Sequence, residues 1–86
     1  MKADEILKYP LMGEKATLIR EKTNMLTFIV DKKSTKKEIR EAVEELYQVE
    51  VVKVNTMNTT QGEKKAHVKL SEKHNAEEIA SQLGVI

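Results

Sequence analysis

The 86-residue sequence contains no cysteine, which excludes a disulfide framework and a zinc site built on thiolates. It has one proline and three scattered glycines, so it carries no glycine-rich phosphate loop. Two tyrosines and one phenylalanine are its only aromatics, too few for the stacking platforms of single-stranded RNA readers. No apolar run approaches the ~20 residues that cross a bilayer. We therefore expect a cytoplasmic location and no membrane insertion.

Groups suited to catalysis are equally scarce. His67 and His74 lack the spacing of a metal site. Glu44 and Glu45 are predicted on the solvent side of a helix, where nothing would shift their pKa toward acid–base work. No serine or threonine has an evident base beside it. We expect neither an enzyme nor a cofactor.

The length predicts a single domain over residues 1–86. Residues 1–12 are expected to form an N-terminal arm with a bend at Pro10, because the residue before a proline favours extended backbone. A short helix is predicted after Gly13, and "MLTFIV" at residues 25–30 predicts a strand.

A second helix is predicted from Thr35, which has capping-box spacing to Glu38. Its apolar stripe comprises Ile39, Ala42, Val43, Leu46 and Tyr47. Tyr47 is predicted to lie at the solvent-exposed edge of the core. A hairpin over residues 51–70 turns near Gly62. A last short helix is capped by Asn75 and Glu78, has Ile79, Ala80 and Leu83 on its apolar face, and stops at Gly84.

This order predicts a small α+β fold. The strand–helix–strand unit crosses over right-handed, so residues 25–30 and 51–56 run parallel, with the hairpin return antiparallel. The pattern alone leaves open whether residues 64–70 lie between those two strands or outside them.

Charge is nearly balanced but unevenly distributed. Fifteen basic and fourteen acidic side chains leave a net charge of +1. The segment from Lys32 to Arg40 has five basic residues and one acid, or +4, and residues 41–50 carry four acids, or −4. Residues 53–69 carry four lysines and one acid, or +3. We therefore expect separate basic and acidic regions.

The hairpin is the strongest candidate for a binding surface. Val52, Val54 and Thr56 are predicted to share one face. The outward face would then present Lys53, Asn55, Lys65, His67 and Lys69. Its middle, "NTMNTTQGEKK", offers amide, hydroxyl and ammonium groups that suit a double-stranded RNA recognised by its backbone and shape. A protein-docking module is the other interpretation of the same composition.

Three segments carry a resemblance to a known family: "ILKYPLMGEKATLI", "LTFIVDKKSTKKEIREAVEELYQVEVVKVNT" and "GEKKAHVKL". In this order they resemble the large-subunit ribosomal protein twenty-three family, in its archaeal and eukaryotic branch. The resemblance implies a small, mostly antiparallel sheet of three to four strands with a split β-α-β unit and two to three packed helices. It places residues 64–70 between the other two strands.

The resemblance also implies a function. Family members bind large-subunit ribosomal RNA, sit beside other ribosomal proteins at the rim of the polypeptide exit tunnel, and offer a docking surface to the signal recognition particle and the protein-conducting channel. The expected RNA-binding residues are Tyr9, Pro10, Lys15, Lys32, Lys33, Lys36, Lys53, Asn55, Thr56, Asn58, Thr60, Lys64, Lys65, His67 and Lys69.

Glu14 matches the acid of a family Ser-Glu-Lys motif that serves factor docking in bacterial members. Gly13 stands here in place of the hydroxyl residue, so this position has no hydroxyl that could cap the helix or contact RNA. We expect factor docking at Glu14, Glu41 and Glu44, with basic residues facing RNA. The alternative is a free protein-interaction module that binds a basic partner through its acidic helix.

Overall fold

A computed structural model describes residues 2–82. The elements in chain order are α1 (Ala3–Ile6), β1 (Leu7–Pro10), α2 (Glu14–Thr23), β2 (Met25–Val30), α3 (Lys36–Tyr47), β3 (Val51–Asn58), β4 (Lys64–Leu70) and α4 (Ala76–Gln82). None of the helices within residues 2–82 is long and apolar enough to cross a membrane.

The four strands form one sheet in the order β1-β2-β4-β3, and every neighbouring pair is antiparallel. Strand β4 therefore lies between β2 and β3, which run parallel to each other. This confirms the predicted α+β class and the order that the family resemblance implied. It also makes β3 an edge strand.

The N-terminal segment was predicted as an arm, but the structure folds it into the domain. Residues 3–6 form α1, and β1 pairs with β2, with Leu7 opposite Val30 and Pro10 opposite Phe28. Proline is tolerated there because β1 is an edge strand, and a missing N–H removes no bond from a ladder. Elements of four residues are too short to give a periodic pattern, so the sequence does not predict them.

The core lies between one face of the sheet and α3. Strand β2 contributes Phe28, which is almost fully buried, and α3 contributes Ile39 and Val43, which have no exposed surface. The rings of Phe28 and Tyr47 stack with centroids 5.9 Å apart. Tyr47 is half-buried, so it lies at the solvent-exposed edge of the core as predicted. Its partial burial raises the pKa of its phenol.

Capping side chains fix where two helices begin. Thr35 Oγ1 accepts the N–H of Glu38 at 3.1 Å, and Glu38 Oε1 accepts the N–H of Thr35 at 2.9 Å, so the predicted capping box is confirmed. Asn75 Oδ1 accepts the N–H groups of Glu77 and Glu78 at 2.8 and 3.2 Å. The predicted roles of Leu83 and Gly84 lie outside the described residues.

Two residues predicted to point into the core are exposed. Val52 is 49% exposed because the pairing register shifts between Val51 and Lys53, so that Val51 and Val54 fill the core instead. This is the geometry of a β-bulge, which places one extra residue in a strand. Leu46, in the last turn of α3, is also exposed, whereas Val49 just after the helix is buried in the core.

Asn24 joins the end of α2 to the segment between β4 and α4. Its backbone is left-handed, with φ at 56°. Its Nδ2 donates to the carbonyl of His74 at 2.9 Å and to those of Ser71 and Leu70 at 3.3 and 3.4 Å. Its Oδ1 accepts the N–H of Ala76 at 2.8 Å, which supplies α4 with another partner at its N-terminus.

Arg20 makes a second link between α2 and α4. Its side chain is almost fully buried, and its Nε donates to Glu77 Oε2 at 3.2 Å. A terminal guanidinium nitrogen also donates to Thr17 Oγ1 at 2.9 Å. The ion pair joins α2 to α4, and the bond to Thr17 orients the guanidinium group from within α2.

Candidate nucleic-acid interface

The strand register sets three rows of side chains across the face of the sheet that points away from α3. Each row takes one residue from each of β2, β4 and β3. The rows are Met25–Lys69–Lys53, Thr27–His67–Asn55 and Ile29–Lys65–Met57. The predicted alternation of the hairpin is therefore confirmed on this face for Lys53, Asn55, Lys65, His67 and Lys69.

Helix α2 covers only part of this face. Thr27 and Ile29 on β2 are buried, whereas the side chains of β3 and β4 stay at least partly exposed. We call this open part the basic face, and it consists of Lys53, Asn55, Met57, Lys65, His67 and Lys69. It includes three lysines and no carboxylate.

Lys53 and Lys69 lie directly opposite each other across the β3–β4 pair, and both are exposed. Like charges at opposed positions of an antiparallel pair destabilise a sheet. A bound polyanion would remove this cost, since one phosphate neutralises the repulsion between two neighbouring ammonium groups. The pair is the clearest electrostatic sign of an anionic partner on this face.

His67 lies at the centre of the basic face, half covered by its neighbours. Its Nδ1 is 2.9 Å from Thr27 Oγ1, so the buried hydroxyl and the ring share a hydrogen bond. Partial burial, together with the positive charges of Lys65 and Lys15, lowers the pKa of His67 below its ordinary value. The imidazole is therefore neutral at physiological pH.

This shift predicts a pH dependence of stability. Because the folded-state pKa of His67 lies below the unfolded value of about 6.5, the unfolded chain takes up the proton more readily. The stability that the neutral ring contributes is complete above about pH 6.5 and is lost as the pH falls through the lowered folded-state pKa. In urea titrations, the free energy of unfolding should fall more between about pH 7.5 and pH 5 for the wild type than for His67→Gln. Equal pH dependence in the two proteins would contradict this assignment.

A second basic region lies on the other side of the edge strand. Lys36, Lys37 and Arg40 from α3 face Lys53 and the exposed Val52 across an open groove of about 340 Å³. Lys53 belongs to both regions, so positive charge continues around the free edge of β3. Lys37 and Arg40 were not among the predicted contacts, although the run from Lys32 to Arg40 was the sequence signal that contained them.

Comparison with known proteins decides the family. Residues 5–78 match the family described as ribosomal protein L23. The chain belongs to the ribosomal protein L23 family. This confirms the resemblance drawn from the sequence, and family members are structural components of the ribosome rather than enzymes.

Individual relatives agree over nearly the whole length. The chain is 52% identical to the large ribosomal subunit protein uL23 of Pyrobaculum aerophilum, over 94% of this chain and all of the relative. It is 42% identical to the proteins of the same name from Methanococcus vannielii and Methanococcus aeolicus, over 99% of both chains in each case. These relatives come from archaea, in agreement with the predicted branch.

Four of the predicted RNA contacts lie on the α3 side of the sheet, away from the basic face. Pro10 lies opposite Phe28, and Thr56 lies opposite Ala66. Asn58 lies opposite Lys64, and Lys64 lies opposite Val30 of β2. Lys64 Nζ donates to the carbonyl oxygen of Ser34 at 2.6 Å, which anchors the turn before α3. In this L23-family chain Lys64 therefore has a structural role in addition to any role at RNA.

Tyr9 and the hairpin tip meet at one end of the sheet. Tyr9 Oη donates to Glu63 Oε2 at 2.7 Å, and this contact raises the pKa of the phenol. Gly62 turns the tip with φ at 82°, and the ammonium group of Lys32 lies beside it. Lys33 and Thr60 are exposed nearby, while Lys15 and Lys36 stand exposed at the N-terminal ends of α2 and α3.

The structure does not bring the three predicted docking acids together. Glu14 is exposed at the start of α2, on the side of the basic face, whereas Glu41 lies on α3 on the opposite side. Glu44 Oε2 accepts the N–H of Val51 at 3.1 Å, so it fixes the start of β3. Glu38, Glu41 and Glu45 instead line a groove against α1, and we call these three residues the acidic groove.

Proposed function

We propose that this chain, as a structural constituent of the large ribosomal subunit, binds large-subunit ribosomal RNA through the basic face. The observation that carries the proposal is the opposed pair of Lys53 and Lys69, exposed on a sheet face without a carboxylate. The uL23 name of the archaeal relatives supports the assignment to the large subunit.

The chemistry of the face favours backbone contacts. Ammonium and amide groups bind phosphate and ribose oxygens, which position an RNA without reading its sequence. A small rigid sheet with few aromatic side chains suits a folded RNA surface recognised by shape. The α3–β3 groove would extend these contacts around the free edge of β3 through Lys36, Lys37 and Arg40.

The acidic groove suggests where protein partners bind. It lies on the α3 side, so RNA on the basic face would leave it accessible. We propose that the chain sits near the polypeptide exit tunnel beside other ribosomal proteins, and that this side helps to dock factors such as the signal recognition particle and the protein-conducting channel. Glu14 would form a separate contact, because it lies on the other side of the sheet.

The salt dependence of RNA binding tests the proposal. For Lys53→Ala with Lys69→Ala, we expect weaker binding to a large-subunit RNA fragment and a slope of log K against log salt that is shallower by about 2, since each lost phosphate contact removes about one unit. Filter binding or fluorescence anisotropy at several salt concentrations measures both quantities.

Lys2→Ala is the matched control, because Lys2 is an exposed lysine on the α1–α3 side of the molecule. It should leave affinity and slope unchanged. If Lys2→Ala weakens binding as much as the double variant, the basic face is not the RNA surface.

A further inference from the structure

A narrow cleft separates α2 from the open part of the sheet, with a volume of about 140 Å³. This is smaller than the roughly 300–1,000 Å³ of a typical small-molecule pocket, so it has room for one base ring, with the attached phosphate at its mouth beside the exposed Lys15. Helix α2 supplies Lys15, Ala16 and Ile19, and the sheet supplies Thr27, Met57, Lys65 and His67.

The charged groups at this cleft come from both of its walls. Lys15 belongs to α2 and Lys65 to β4, and no carboxylate lines the space between them. Two ammonium groups on opposite sides can bind one phosphate together, each as a charge-assisted donor. The cleft thus differs from the exposed pair of Lys53 and Lys69, whose ammonium groups face solvent.

The remaining walls suit a planar ring. Met57 is 52% exposed although it is a large apolar side chain, and Ile19 lies half-buried across from it. A methionine thioether makes favourable contacts with aromatic rings. His67 Nδ1 is engaged with Thr27, and Nε2 has no hydrogen-bond partner among residues 2–82, so Nε2 is available to the polar edge of a base.

We propose that this cleft binds one unpaired nucleotide of the ribosomal RNA, with its phosphate between Lys15 and Lys65 and its base against Met57 and His67. The inference rests on the proposed function and adds a specific feature of the RNA. The basic face then contacts the backbone of a helical region, and the cleft fixes the protein at a bulged or looped-out position. Unpaired nucleotides are the part of a folded RNA that side chains reach most readily.

Two short RNA hairpins test the inference. One is fully paired, and the other has the same sequence with one additional, bulged adenosine in its stem. We expect the bulged hairpin to bind about tenfold more tightly, the effect of seating one base. Met57→Ala should abolish this preference, so that this variant binds the bulged and the paired hairpin with equal affinity. Leu46→Ala is the matched control, since Leu46 is a similarly exposed apolar residue on the opposite side of the molecule, and it should keep the preference.

The outcomes separate this inference from the proposed function. If both hairpins bind equally well and Lys53→Ala with Lys69→Ala weakens both, the RNA face stands and the cleft inference is wrong. If neither hairpin nor the large-subunit fragment binds, the proposed function itself fails. An acidic peptide that displaces the bulged hairpin and needs Met57 for its own binding would also overturn the inference, because the cleft would then recognise a carboxylate.

Discussion

Replacing both Lys53 and Lys69 with glutamate should lower the affinity for a large-subunit RNA fragment on the order of a thousandfold at low salt. Each reversal turns an attraction of about 1 kcal/mol at contact distance in water into a repulsion of similar size. Both side chains are exposed, so the change should not disturb the core. The loss should shrink as salt rises, because screening weakens attraction and repulsion alike.

The opposite change on the other side of the molecule is the control. Glu41→Lys with Glu45→Lys adds the same amount of charge at the acidic groove, and it should leave RNA affinity unchanged or raise it slightly. If this variant abolishes binding while the lysine reversals do not, the two sides have been assigned the wrong way round.

Two nearby residues are unsuitable for this experiment. Lys64 holds the carbonyl of Ser34, so its reversal would disturb the turn before α3. Glu44 accepts the N–H of Val51, so its loss would loosen the start of β3. A change in RNA affinity at either position could therefore reflect a disturbed structure rather than a lost RNA contact.

Asn24→Ala should reduce the free energy of unfolding by about 2–5 kcal/mol. Removing the amide leaves partly buried backbone groups without their partners, at a cost of about 1–3 kcal/mol. A left-handed backbone at a residue other than glycine or asparagine costs roughly a further 1–2 kcal/mol. An 86-residue domain has a small core, so this loss is a large part of its total stability.

Asn24→Gly separates the two contributions. Glycine adopts positive φ freely but supplies no amide, so this variant should be more stable than Asn24→Ala by about 1 kcal/mol and less stable than the wild type. Urea denaturation of the three proteins gives the comparison. If Asn24→Ala loses less than about 1 kcal/mol, the amide does not hold α2 and α4 together.

The sequence predicts the elements that have a clear period. Strand β2 coincides with its predicted range, and the Thr35 capping box marks the start of α3. By contrast, α1 and β1 are too short to produce a pattern, and the shift that turns Val52 outward depends on pairing with β4. The bonds from Asn24 to His74 and from Arg20 to Glu77 join residues more than forty positions apart, so no local sequence pattern predicts them.

The proposed binding site, too, is only partly predictable from the sequence. Alternation along the hairpin predicts that one face of the sheet carries Lys53, Asn55, Lys65, His67 and Lys69, because side-chain direction in a strand follows from position alone. Thr56 and Lys64 were included because they match family motifs and Asn58 because of its polar chemistry, and the pleat directs all three to the α3 side. That α2 covers part of the basic face depends on tertiary packing, and so does the cleft beneath it.

Site-directed crosslinking tests the central claim most directly, and the absence of cysteine makes it simple. Asn55→Cys on the basic face and Glu45→Cys in the acidic groove would each carry a photoreactive group and be assembled into large subunits. The probe at position 55 should crosslink to large-subunit RNA, and the probe at position 45 should not. Crosslinks to RNA from position 45 alone would contradict the account.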